Sequence, residues 1–175
     1  GASGGRQTTQ GNGIIHSAQI GHGGYNANGN HHGNIFVSAG IDYDESNGRP
    51  VYNAGSGSFE ILNGSADVTV MGGTATSDNS GDRRNFAQIG HGAYATDGTL
   101  GLPGDTITVM AGRDVVVQSG SGDSSEAVIG NGGTFARGDH HADIQVFAER
   151  DVKVLGSDYL AGGLVQQITG GGTGT

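Results

Sequence analysis

The 175-residue sequence predicts an all-β fold, a single-stranded parallel β-solenoid of about seven to nine coils with no significant helix. Three observations predict it. Ile and Val total 24 against 6 Leu, and β-branched side chains suit a pleated surface whereas Leu is the good helix former. Gly accounts for 37 residues but lacks the strict three-residue period and the proline of collagen. Short runs of strict apolar alternation recur along the chain between clusters of Gly, Asn and Asp. Ile, Leu, Val and Phe make up only 35 of the 175 residues, which suits a narrow interior into which each coil inserts a few side chains.

The organisation reads in order. Residues 1–17 form a Gly-rich N-terminal extension or assembly segment, 18–156 the β-solenoid repeats, and 157–175 a C-terminal coil with a Gly-rich tail. Within the repeats, three segments align: Ala18-Gln19-Ile20-Gly21-His22-Gly23-Gly24, Ala87-Gln88-Ile89-Gly90-His91-Gly92-Ala93 and Ala127-Val128-Ile129-Gly130-Asn131-Gly132-Gly133. Each is followed by an alternating strand, Ile35–Ala39, Ile107–Ala111 and Ile144–Ala148, displaced 15, 18 and 15 residues from the aligned Ile. The middle copy carries its extra residues around Leu100-Gly101-Leu102-Pro103, as a loop insertion does. A second strand follows in two copies, Asp114–Val117 and Asp151–Val154. A headless pair, Phe59–Ile61 and Asp67–Val70, fills the gap between the first two copies.

Five-residue alternation makes half-buried strands, and Gly, Asn and Asp supply the φ > 0 corners that turn the chain. With no crossover helix in sight, repeated strands with short corners stack as coils. The aligned Ile residues lie 69 and 40 positions apart, which fits three coils of about 23 residues and two of about 20. At one strand spacing per coil, the rod would be roughly 33 to 43 Å long. A β-sandwich is the competing architecture, although tandem hairpins would want more two-residue Asn-Gly turns.

The Ala-Gln-Ile-Gly-His-Gly-Gly block, followed by Ile-x-Val-x-Ala-Gly and Asp-Val-x-Val runs, resembles the repeats of filamentous-haemagglutinin-like bacterial exoproteins and adhesins. The likeness covers about Ala18 to Gly156. It implies a right-handed β-helix that is extracellular, exposed at the bacterial cell surface and elongated, with structural or adhesive roles and contacts to host or neighbour cells or glycans. The secretion module of two-partner-secreted members, with its Asn-Pro-type motifs, is not in this sequence.

Composition narrows the chemistry. The formal net charge is −9, with one Lys, seven Arg and no basic cluster beyond Arg83-Arg84, so nucleic acid is not an expected partner. Zero Cys removes disulfides, thiolate catalysis and Cys-ligated metals together. No apolar run approaches the ~20 residues of a membrane-spanning helix, and membrane insertion is not expected. Seven His stand out, and the pairs His31-His32 and His140-His141 each begin 11 residues after an aligned Ile. Stacked in register they are candidate transition-metal ligands, although no carboxylate at short spacing completes a tetrahedral set. The segment from Asp42 and Asp44 to Gly48 starts like a calcium loop, but Asn53 stands where the bidentate Glu belongs. No cofactor is therefore expected, with calcium the one candidate.

Gly21, His22, Gly90, His91, Gly130 and Asn131 are expected at equivalent structural corners. The Asp residues at strand entries (Asp67, Asp105, Asp114, Asp143, Asp151) suit backbone-capping roles. No catalytic residue stands out: Trp is absent, and no nucleophile elbow or phosphate loop occurs in a supporting context. The function expected is a non-catalytic structural or adhesive segment. The alternative is a β-helix enzyme acting on acidic polysaccharide, which would need paired carboxylates across a groove. Because no amphipathic capping helix is visible at either end, copies of the chain are expected to meet head to tail in a fibre.

Overall fold

The computed structural model describes residues 2–3, 16–47, 49–73, 85–120, 125–156 and 166–168. The fold is all-β, without a helix among these residues. In chain order the strands are β1 (Ala2–Ser3), β2 (His16–Ile20), β3 (Ile35–Ala39), β4 (Tyr43–Asp44) and β5 (Arg49–Pro50). Next come β6 (Tyr52–Asn53), β7 (Ser58–Phe59), β8 (Val68–Met71), β9 (Asn85–Ile89) and β10 (Thr106–Ala111). The last are β11 (Asp114–Gln118), β12 (Ala127–Ile129), β13 (Asp143–Ala148), β14 (Asp151–Leu155) and β15 (Gln166–Ile168).

They form separate small sheets rather than one. Three are stacks that take one strand from each copy: β2–β9–β12, β3–β10–β13, and β1–β8–β11–β14–β15. All pairings in these stacks are parallel except the last, β14 with β15.

Register places like on like. Ile107 lies opposite both Ile35 and Ile144, Val109 opposite Val37 and Val146, and Ala111 opposite Ala39 and Ala148. The other stacks repeat the pattern with Ala18–Ala87–Ala127, Ile20–Ile89–Ile129 and Val68–Val115–Val152. A column of identical side chains keeps the cross-section constant from one copy to the next, which suits close packing of a narrow interior with few apolar residues. Ile35, Val68, Val70, Ala87, Ile89, Ile107, Val109, Ala111, Val115 and Val117 form this core. The middle copy is the most protected, with every residue of β9 buried.

Two expectations need correction. Ile20, Ile89 and Ile129 are direct neighbours across the first stack, so spacings of 69 and 40 each represent one step. Three copies of a three-strand unit account for the stacks, not seven to nine coils of about 20 residues. The difference lies in the long Gly- and Asn-rich segment after each Ile-Gly corner. It crosses between stacks and adds only isolated bridges, such as His31–Leu100–His140, where a second short coil was expected. The five strands of the third stack then span about 19 Å, shorter than the rod expected.

The second correction concerns Phe59–Ile61, which joins no stack. β4 pairs with β5 and β6 with β7, both antiparallel, and Ile41 bridges Ile61, so residues 41–61 form an inserted hairpin arm. The arm lies on the outer face of the second stack. Phe36 meets Tyr43 and Phe59 meets Phe147, with ring centroids 5.7 and 4.9 Å apart. Met110, which lies between Ser38 and Phe147 in the second stack, is only 1% exposed.

The third stack is extended by the chain's own end strands. β1 lies parallel beside β8, and β15 lies antiparallel beside β14. The remainder of both Gly-rich tails lies outside the described residues.

Candidate functional site: the ladders between copies

The Ile-Gly-His-Gly corners bring the copies closest. Gly21, Gly90 and Gly130 occupy equivalent positions with φ of +142°, +157° and +149°. A Cβ on Gly21 would lie 2.1 Å from the Gly90 carbonyl oxygen, and one on Gly90 1.8 Å from that of Gly130. Backbone thus packs against backbone, which only glycine permits. At Gly130 the nearest contact among the described residues is the Ile144 side chain at 3.5 Å.

The next residue of each corner forms a cross-copy ladder. The His22 N–H donates to Nδ1 of His91 at 3.2 Å, and the His91 N–H donates to Oδ1 of Asn131 at 2.8 Å. Since Nδ1 of His91 accepts, its ring proton sits on Nε2, which donates to the Gly33 carbonyl at 2.9 Å. The His22 and His91 rings stack with centroids 5.3 Å apart. Asn131 donates from Nδ2 to the carbonyls of Leu100 and His141.

A parallel ladder uses the Gln that precedes the corner. Gln19 donates from Nε2 to the carbonyls of Gly90 and Gly92 at 2.8 and 3.0 Å. Gln88 repeats this toward Gly130 and Gly132 at 2.7 and 2.9 Å. The third copy has Val128 in this position and cannot extend the ladder.

A third ladder carries charge at the entry to the third stack. Arg113 makes a two-pronged ion pair with Asp67 of the copy below, and Arg150 does the same with Asp114. Lys153 adds contacts to Asp114 and Asp151 at 2.7 and 3.1 Å. Asp114 is 4% exposed, and the hydrogen bonds from Arg150 hold its carboxyl far below the usual range, with Lys153 helping. Asp67 is lowered by Arg113 in the same way. Lys153 is raised, chiefly by Asp114.

The sign of the pH dependence follows. A carboxyl lowered on folding stabilises at pH above its unfolded value of about 3.9, and that contribution is lost as pH falls toward the folded value. Stability should therefore decline in acid below about pH 4, and Asp114→Asn should flatten that decline. The substitution itself is expected to cost about 2 kcal/mol at pH 7, the scale of hydrogen bonds to charged groups. Urea titrations at pH 7 and pH 3 on both proteins provide the check. An acid slope unchanged in Asp114→Asn would show that other groups carry it.

The expected metal ligands are not brought together. His31 and His140 share one column but Leu100 sits between them, two strand spacings of roughly 9.6 Å in all. His32 and His141 are exposed and flank Gly101 at the next position. Each column residue instead fits against a corner glycine. A Cβ on Gly23, Gly92 or Gly132 would lie 3.1 Å from His31, 2.5 Å from Leu100 or 2.5 Å from His140, respectively. His31 also contacts the Ala27 carbonyl through Nε2 at 2.9 Å.

Asp42 and Asp44 lie in the hairpin arm. Asp42 accepts from the Tyr43 N–H, and Asp44 from the Ser46 N–H and hydroxyl and from Asn47. These bonds, that from the Ser46 hydroxyl foremost, lower the Asp44 carboxyl and occupy it within the turn. Among the described residues no group of three or more His, Asp or Glu is placed to hold a metal ion.

Sequence reasoning missed Gln19, Gln88 and the Arg–Asp rungs. The signal was present: Ala-Gln-Ile and Arg-Asp each occur twice at the same repeat position. Compared with known proteins, the chain matches no family model, no curated protein and no solved structure.

Proposed function

We propose that the three parallel stacks are the faces of one β-solenoid, and that the chain is a non-catalytic structural or adhesive segment of an extracellular bacterial surface filament or giant exoprotein. The observation that carries this reading is where the buried polar groups go. Gln88, His91, Thr96 and Asp114 are all buried, and each bonds to a different copy of the repeat. Side chains placed this way fix one coil on the next, which is the chemistry of a stiff rod.

The carboxylates support the same reading. Asp44, Asp67, Asp105 and Asp114 are lowered by hydrogen bonds that tie these four carboxylates into turns and rungs. Adhesion, on this view, belongs to the exposed arm and loops. The right-handed winding and the cell-surface location rest on the resemblance to haemagglutinin-like repeats.

The test uses the intact chain. Sedimentation velocity and negative-stain microscopy over a wide concentration range should give elongated particles that lengthen with concentration. Incubation with acidic polysaccharides should release no new reducing ends. Sustained turnover, abolished by substituting a facing pair of carboxylates, would replace this proposal with the glycan-cleaving one.

A further inference from the structure

The two ends of the stacks are finished unequally. In the third stack, β1 covers the lower edge of β8 and β15 covers the upper edge of β14. In the other two stacks β2 and β3 below, and β12 and β13 above, have no strand on their outer edges among the described residues. The end residues are correspondingly bare: Ile20 is 40% exposed and Ile144 50%, against 1% for Ile89 and Ile107. Open parallel edges with apolar flanks are templates for further pairing.

We infer that these edges are the two halves of one interface: the upper edges of β12 and β13 receive β2 and β3 of a second copy of this chain, once β15 leaves β14. This deepens the end-to-end reading proposed above and rests on it. The register is dictated by the chain itself. β10 pairs by one rule with β3 below and β13 above, so β3 of a second copy meets β13 with Ile35 opposite Ile144 and Val37 opposite Val146.

Gly130 is shaped for this contact. It holds the backbone of Gly21 and Gly90, yet among the described residues it meets no carbonyl where those two meet one of the next copy. Gly21 of the second copy supplies that carbonyl.

β15 must give way because it occupies the place on β14 that β8 of the second copy takes, and the second copy's β1 because it occupies the place on that β8 that β14 takes. The exchange favours docking. It gives up the three paired positions of β15 and the two of β1. It forms, by the internal registers, three on β12, five on β13 and four on β14. The contact is nonetheless weaker than an internal one. Val128 offers no amide to the copy above, and Ala66 stands where Arg113 and Arg150 stand in the other copies, so the second copy brings Asp151 no guanidinium. Assembly is therefore reversible and concentration-dependent, with β15 as the cap on a free end.

Engineered cysteines read the register directly, since the chain has none of its own. Ser38 and Phe147 lie on opposite sides of Met110, two strand spacings of roughly 9.6 Å apart and beyond the ~7 Å limit for a disulfide. In the docked pair, Ser38 of the second copy lies directly opposite Phe147. The full-length Ser38→Cys/Phe147→Cys protein should therefore give a ladder of covalent multimers under mild oxidation, and each single variant nothing beyond a dimer. Phe36→Cys/Gln145→Cys, which share Thr108 as neighbour, should do the same and guards against a folding defect in the first pair.

Adding Ala66→Arg and Val128→Gln restores the missing rungs and should lower the concentration needed for assembly about tenfold or more, as one charged hydrogen bond would. Double-cysteine proteins that remain uncrosslinked at concentrations where the parent forms elongated particles would overturn this interface and leave the filament. A parent that stays monomeric throughout, with no crosslinking, would overturn both.

Discussion

Gly90→Val is expected to disrupt the middle of the first stack and to cost more than about 3 kcal/mol. The added Cβ would sit 1.8 Å from the Gly130 oxygen and 2.5 Å from its carbonyl carbon, both backbone atoms that no side-chain rotation can move. The φ of +157° adds the strain of a conformation that branched residues avoid, about 1–3 kcal/mol. Relief requires β9 and β12 to part, which breaks the pairing of Ala87 with Ala127 and Ile89 with Ile129. For a chain of this size each kcal/mol lowers the melting temperature by about 2–4 °C, so a drop of at least about 6–12 °C is expected by circular dichroism. Gly130→Val shares the backbone strain but, among the described residues, meets only side chains, Ile144 at 3.5 Å and Val128 at 3.8 Å, and should lose about 1–3 kcal/mol. Equal losses at the two positions would mean that backbone angle, not contact between copies, dictates glycine here.

That contrast marks what the sequence discloses. The identity of the strands was legible because alternation is a local signal. Ile35-Phe36-Val37 and Ile107-Thr108-Val109 each announce a half-buried strand, and their likeness announces that they stack. The corner glycines were legible for the same reason, since a Gly repeated beside a strand end marks a turn that a side chain would obstruct. The number of coils was not legible. A 40-residue spacing divides as naturally into two short coils as into one coil with a long crossing segment. The deciding contacts, such as Leu100 seated against Gly92, join residues of no shared type.

The histidine pairs illustrate a related limit. His31 and His140 fall on one column, as their spacing suggests, but the intervening member is Leu100, and only the register reveals that it stands between them. Partnerships between levels, Arg150 with Asp114 above all, depend on a register that no single copy contains.

Gln88 offers the sharpest test of those partnerships. It is 2% exposed, and its amide donates to the Gly130 and Gly132 carbonyls at 2.7 and 2.9 Å. Both glycines are buried, and neither carbonyl has a backbone donor in the turn network around it. Gln88→Leu keeps the side-chain bulk but strands both oxygens away from water. At about 1–3 kcal/mol for each buried group left unpaired, moderated by relaxation, the expected loss is about 2–4 kcal/mol. Gln88→Glu should be worse at pH 7, because a buried carboxylate would then face two carbonyl oxygens with no proton to share. Its folded-state pKa is raised, so the Glu variant regains stability as pH falls through that value, opposite in sign to the acid loss expected from Asp114. Val128→Gln, by contrast, should leave the stability of the isolated chain nearly unchanged, since among the described residues no copy lies above to accept its bonds. Urea unfolding of the three variants at pH 7 and pH 4 gives the comparison. A Gln88→Leu protein as stable as the parent would show that the amide ladder fills space without holding the copies together.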